Sequence, residues 1–290
     1  MIVGSNPQLR RRRRADNIFR WLCFSAAALG VVLLITFLTK IFVGGLSRVD
    51  WHFITGKLSN RPVKTGLWEA IVGSFYVMIL TGLIAVPIGV GAALYLEEFN
   101  RKRNRLTNFI QLNISNLAGV PSIVYGLLGL TVFVTWLSLG RSLIAGALTM
   151  SLLILPMVII VTQEALKAVP KSYREGALAL GCTPWQAIRR QVLPNAAPGI
   201  WTGIILALSR AIGETAPLIV VGAVSYVSAT PKSLGDTFTV LPIKIFDWSG
   251  ESKADFHVAA AGAIIVLILT LLTLNSVAII LRARVAKRLR

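Results

Sequence analysis

Apolar residues in this chain come in long unbroken blocks. Stretches free of Asp, Glu, Lys and Arg cover residues 21–39, 70–96, 106–140, 142–163 and 258–281, which is 19, 27, 35, 22 and 24 residues. A bilayer core about 30 Å thick takes about 20 apolar helical residues, so each block is long enough to cross it. A sixth stretch, 191–231, is apolar except for Arg210 and Glu214. The pattern predicts six transmembrane helices, over about 20–43, 69–96, 114–139, 142–163, 195–221 and 256–281, preceded by a basic tail over 1–18. The block at 106–140 is too long for one span and begins with Asn108, Gln111, Asn113, Ser115 and Asn116, so an interfacial lead-in is expected before the third span. No small-residue cleavage site follows the first block, which is expected to remain as a helix.

Composition sharpens this picture. Hydrophobic residues make up 55% of the 290, mean hydropathy is +0.71, and 14% are charged, against about 25% in soluble domains. The net charge of +18 would fit a nucleic-acid binder, but its distribution fits a membrane topology better. With both termini cytoplasmic, twenty Lys and Arg fall in cytoplasmic segments: Arg10 to Arg14 with Arg20, then Arg101, Lys102, Arg103 and Arg105, then Lys167, Lys171, Arg174, Arg189 and Arg190, then Arg282, Arg284, Lys287, Arg288 and Arg290. Nine fall outside. The arginine run before the first span reads as an orientation signal or an anionic-lipid contact, not a nucleic-acid site. Cys23, Cys182, His52 and His257 are too few and scattered for a disulfide framework or a metal site, and no cofactor is expected.

The loop over 164–194 has internal order. Pro170 precedes a helix-forming run that Gly181 stops. Thr183 then serves as N-cap, Pro184 as the first helical residue and Gln186 as the returning side chain of a capping box. A helical hairpin is predicted, ended by Pro194 and Pro198, where the fifth span starts. From capping alone it could equally be an amphipathic connection in the headgroup region. The order Glu175-Gly176-Ala177, then Gly181, then Leu193-Pro194 resembles the EAA loop of bacterial binding-protein-dependent ABC importer permeases, which docks onto an ATPase subunit. Gly176 stands where that pattern usually has Ala, and Gln191 where it usually has Ile. The small-residue face of Gly176, Ala177, Ala179 and Gly181 suits a partner's groove, with Arg174, Glu175 and Arg189 forming charge-assisted bonds at its rim.

The second signal is a charged pair inside a span. Arg210 and Glu214 are four residues apart, hence on one helix face, and intramembrane charges usually face a bundle interior or a water-filled path. The pair could simply neutralise itself and pack helices, with Ala207, Ala211 and Gly213 allowing close approach. It could also gate an anion. A guanidinium offers a planar fork to an oxyanion, and a carboxylate repels sulfate yet accepts a hydrogen bond from protonated phosphate. Ser209-Arg210-Ala211-Ile212-Gly213-Glu214-Thr215-Ala216-Pro217-Leu218 resembles the signature of the permeases of the phosphate-specific ABC importer. Residues 117–126, which include Gly119, Pro121, Ser122, Tyr125 and Gly126, are similar to a segment those permeases share. That segment should kink, and the hydroxyls of Ser122 and Tyr125 could meet a passing oxyanion, although each of these residues could equally serve packing. Pro87, Gly89 and Pro156 have only the packing reading.

The resemblance runs from about residue 19 onward. It implies an all-α integral membrane fold of the importer-permease (MetI-like) kind in a bacterial inner membrane, with this chain as the A-type of two homologous permease chains. The implied partners are the second permease chain, two cytoplasmic ATPase subunits and an extracytoplasmic phosphate-binding protein, with inorganic phosphate as substrate. It also implies pathway roles for Ser209, Arg210, Glu214, Thr215, Ser122 and Tyr125, and ATPase coupling through Arg174, Glu175, Gly176, Ala177, Gly181, Leu193 and Pro194. A signalling role through cytoplasmic regulators of phosphate supply is implied by the family alone. The chain has no G-x-x-x-x-G-K-[ST] loop, so ATP hydrolysis is not assigned to it. The remaining alternatives are a permease for molybdate or sulfate, or a secondary anion transporter. An intramembrane enzyme finds no catalytic constellation here. The outer segment 223–256, with Trp248, is the expected landing site of the binding protein.

Overall fold

The structure is a computed structural model that describes residues 7–99, 104–223, 227 and 229–288. Arg101, Lys102, Arg103 and Arg290 lie outside the described residues, as do the side chains of Arg10, Arg11, Arg13, Arg14, Arg282, Arg284, Lys287 and Arg288. All regular structure among the described residues is helical: α1 Pro7–Gly45, α2 Trp51–Thr55, α3 Trp68–Leu94, α4 Arg105–Ala118, α5 Ser122–Gly129, α6 Leu143–Lys167, α7 Lys171–Ala179, α8 Pro184–Ala187, α9 Leu193–Ile212, α10 Ala216–Val221, α11 Leu241–Gly250 and α12 Ala254–Arg288. Five helical stretches are long and apolar enough to span a membrane, and six if α4 with α5 and its extension, bent by 103° at their junction, are counted as one.

α6 is the central post. In its most apolar window 56% is buried, against 0% in α1. It packs on α3 and α9, and Met150, Ile154, Val158, Ala207, Ala211 and Val77 form the main core with Phe238 from the loop before α11. A second cluster caps the end where α3 and α12 begin: Phe53, Leu67, Trp248 and Phe256 pack together. There Arg48 donates to the carbonyls of Pro62, Val63 and Thr65 at 2.7–3.1 Å, and Glu69 accepts the Leu58 amide at 2.9 Å. Trp248, expected at a docking surface, is buried in this cap because its ring fills the space between Phe53 and Phe256.

At the opposite, hairpin end the chain departs from expectation in two places. The residues of the basic tail described, 7–18, are already helical and continue into the first span without a break. The second hairpin arm is not ended by Pro194 and Pro198. One helical run extends from Pro184 to Ile212, in which Ile188–Val192 is a wider π turn. Proline's ring clashes with the carbonyl of the preceding turn and its nitrogen donates nothing. A wide turn just before Pro194 gives the ring room, so the run continues through the proline. The first arm follows the capping logic: Gly181 stands at φ +83°, the left-handed geometry favoured by glycine, and Thr183 and Gln186 exchange both capping-box bonds at 2.9 and 3.3 Å.

Candidate functional site

Two helices are interrupted, and the segments that follow the breaks, α5 and α10, pack on each other. In the first, α4 ends at Ala118 and α5 starts at Ser122. Residue 121 is proline, so the carbonyl of Leu117 loses the amide donor that a continuous helix would supply four residues on. The Val120 amide takes up part of that role at 3.1 Å, and the Tyr125 hydroxyl adds a second donor to the same Leu117 carbonyl at 2.8 Å. In the second, α9 ends at Ile212 and α10 starts at Ala216, leaving Gly213, Glu214 and Thr215 between them. The breaks are held together by glycine. A Cβ on Gly126 would lie 2.7 Å from the Pro217 Cα, so only a glycine lets α5 touch α10 here. Both residues come from the two segments that carry the family resemblance.

Arg210 lies at the end of α9. Its Nε is 3.6 Å from Glu214 Oε1, an ion pair longer than a hydrogen bond. The arginine side chain is 61% exposed and the glutamate 20%. The glutamate is therefore held within the chain while the guanidinium projects from it. Arg210, Ser122, Tyr125, Leu117, Val120 and Met157 line one cavity of about 30 Å³. That is room for a water molecule or two, not for a tetrahedral oxyanion. Broken spans whose ends and freed backbone groups face a shared space are the usual architecture of membrane substrate sites.

The other expected pathway residues lie nearby but differ in what they touch. Tyr125 has its proton committed to Leu117, leaving the oxygen as an acceptor. Ser209 faces away from the cavity. Its hydroxyl engages the Ile205 carbonyl at 2.7 Å and the Asn275 side chain of α12, on the wall of an apolar groove of about 490 Å³ between α3, α9 and α12. Thr215 sits half-buried in the second break, where its carbonyl accepts the Ile219 amide.

On the hairpin, Glu175, Gly176 and Arg189 are exposed, with open space around Gly176, whereas Ala177 is buried. Leu193 packs against the main core and Pro194 is half-buried. Arg174, expected at the rim, is buried. It donates from Nε to both carboxylate oxygens of Glu98, at 3.0 and 2.9 Å, and from its other nitrogens to the carbonyls of Val169 and Leu166. Sequence reasoning missed Glu98, Asn275 and the reciprocal amide pair of Gln111 and Gln163, bonded at 3.1 and 2.9 Å between α4 and α6. Asn275 and Gln163 carried a usable signal, since polar side chains inside apolar windows call for partners. Among the described residues no group of three or more His, Cys, Asp or Glu could hold a metal ion.

Comparison with known proteins agrees with this architecture. Residues 85–290 match the family described as "Binding-protein-dependent transport system inner membrane component". The chain is 32% identical to "Phosphate transport system permease protein PstA 1" of Mycobacterium tuberculosis, over 99% of this chain and 94% of that one. It is 35% identical to "Probable ABC transporter permease protein YqgI" of Bacillus subtilis, over 72% and 70%. In fold it is similar to a chain of a bacterial alginate ABC transporter solved with a pentasaccharide-bound periplasmic protein, with a TM-score of 0.68 at 17% identity, covering 94% of this chain and 98% of that one. A helical bundle of up to six spans, with a hairpin at one end and a family match over most of its length, places this chain among the binding-protein-dependent transport system inner membrane components, the membrane-spanning permease subunits of ABC importers.

Proposed function

We propose that the chain is the A-type permease subunit of an ATP-driven importer of inorganic phosphate, forming half of the pathway beside a second, homologous permease chain. The observation that carries this reading is the Arg210–Glu214 pair, whose arginine lines a cavity with residues of the first helix break and whose glutamate lies in the second, in a chain whose full-length relatives are named phosphate transport permeases. The guanidinium offers a fork of donors to two oxygens of phosphate. Glu214 accepts a hydrogen bond from a protonated phosphate and repels a fully ionised sulfate. Arg210 projects out of the single chain, toward the side on which the second permease completes the path. At about 30 Å³ the cavity has room for water and not for an oxyanion, so an oxyanion passes when the breaks separate.

The hairpin end and both termini face the bacterial cytoplasm, following the basic residues. There the exposed Glu175, Gly176, Arg189, Leu180 and Trp185 meet the ATPase pair, which hydrolyses ATP. The opposite cap, with Trp51, Val63 and Phe246 exposed, receives the phosphate-binding protein. Closure of the ATPases drives the hairpin, the spans open outward, and the reverse step releases phosphate inside; differential affinity for the two states gives direction. Uptake of labelled phosphate into proteoliposomes carrying the assembled complex, with the binding protein outside, tests the assignment. Uptake requiring internal ATP and resisting excess sulfate is expected. Uptake driven by a proton gradient without ATP would move the chain to the secondary transporters.

A further inference from the structure

α3 does not stop at Leu94. It runs on as a π turn over Tyr95–Phe99, and two adjacent residues of that turn reach the two arms of the hairpin. Glu98 is paired with Arg174 of α7, and both side chains are buried, 1% and 10% exposed. Phe99 packs its ring against Trp185 of α8, with centroids 6.2 Å apart. The same guanidinium bonds the carbonyls of Leu166 and Val169, at 3.1 and 3.3 Å, where α6 ends. A cation at a helix C-terminus is in its favourable place. Arg174 is thus a node joining α7, the end of α6 and the end of α3. The second arm is joined to α9 through the helix itself.

We infer that the Glu98–Arg174 pair is the strut through which the hairpin moves the second span, making the hairpin and the nearby ends of α3 and α6 one rigid body. Burying an ion pair is generally no more favourable than burying apolar groups of the same size, so the pair's distinct contribution is a fixed register between the elements it joins. A fork-to-carboxylate contact fixes orientation as well as distance. With the loop stiffened in this way, a displacement of the hairpin is not absorbed at its base. It is carried along α3 and α6, and relieved where helices are interrupted, at 119–121 and 213–215 beside Arg210. Arg174 and Glu98 are then positioning residues that act through the spans, without touching substrate.

This inference rests on reading the hairpin as the element that meets the ATPase. Its test uses the reconstituted complex with Glu98→Cys and Arg174→Cys together, the native cysteines replaced by serine, so that neither charge is left buried alone. In the reduced form the expected result is ATP hydrolysis that continues while most of the phosphate uptake per ATP is lost, because the register between the hairpin and α3 is no longer fixed. Bridging the two thiols with a short bifunctional reagent restores the ratio. Unchanged coupling in the reduced form, or loss of transport on bridging, would overturn the strut.

A second readout leaves the pair intact. Spin labels at Lys171→Cys and Tyr95→Cys should keep one narrow distance with and without ATP. A distance that changes with nucleotide would show that the two elements move apart, and the rigid-body account fails. Because this readout needs no transported substrate, a complex that hydrolyses ATP yet takes up no phosphate would sink the phosphate assignment while the distance still decides the strut.

Discussion

Tyr125 shows how one residue's role depends on a neighbour's missing atom. Pro121 cannot donate to the Leu117 carbonyl, which instead accepts from the Val120 amide and from the tyrosine hydroxyl. Tyr125→Phe should therefore lower stability by about 1 kcal/mol, the usual net value of such a bond. Thermal unfolding of the purified complex reads that loss, and uptake per assembled complex should stay near the parent value. Asp236 gives a pH counterpart outside the spans. Bonds from the Ser233 hydroxyl and from the Lys232 and Ser233 amides hold its carboxyl below the ordinary carboxylate range. The stabilisation is therefore present above the ordinary value and lost as pH falls through the depressed one. Asp236→Asn should flatten the acid side of a stability–pH curve for the loop that meets the start of α6. Arg210 and Glu214 were legible in the sequence because two charges in an apolar block have few explanations. Glu98 was not: it lies 76 residues from Arg174, and a carboxylate at the end of a span looks like an ordinary boundary residue.

At the scale of elements, capping chemistry translated directly into structure. Thr183, Pro184 and Gln186 start the second arm as their types require, and Thr183→Ala should cost about 1 kcal/mol, read as a lower melting temperature. Gly119 and Pro121 marked a weak point in the third span, but its 103° bend was not legible, because residue types report that a helix breaks and not how far it turns. The run through Pro194 and Pro198 was misread for a related reason: a π turn leaves no mark in a pattern of apolar positions. Gly126 is the sharpest element-scale test. Gly126→Val puts side-chain atoms where the Pro217 backbone already lies, and overpacking of this kind costs about 1–3 kcal/mol. The expected outcome is a complex that assembles less well and loses uptake, with α5 and α10 pushed apart beside Arg210. Normal assembly and uptake would mean that the two breaks need not touch.

For the whole molecule, block lengths led to six expected spans, and the structure has five such helices, or six with the bent pair counted as one; how they pack was not legible. Six similarly apolar segments give no sign that α6 is the post around which α3 and α9 pack, or that the most apolar part of α1 stays exposed while its end packs on α12. What did carry over is the relation between the two distinguished regions. The hairpin that resembles a coupling loop is built onto α3, α6 and α9, and the last turn of α9 carries the arginine that the pathway reading singles out. The central claim is that this arginine handles the transported anion. The most direct measurement is the initial rate of ATP-driven phosphate uptake by proteoliposomes carrying the complex with Arg210→Ala, beside the unchanged complex, at equal assembled amounts and with ATP hydrolysis followed in both. The account predicts that uptake is lost while the complex still assembles; uptake at the parent rate would contradict it.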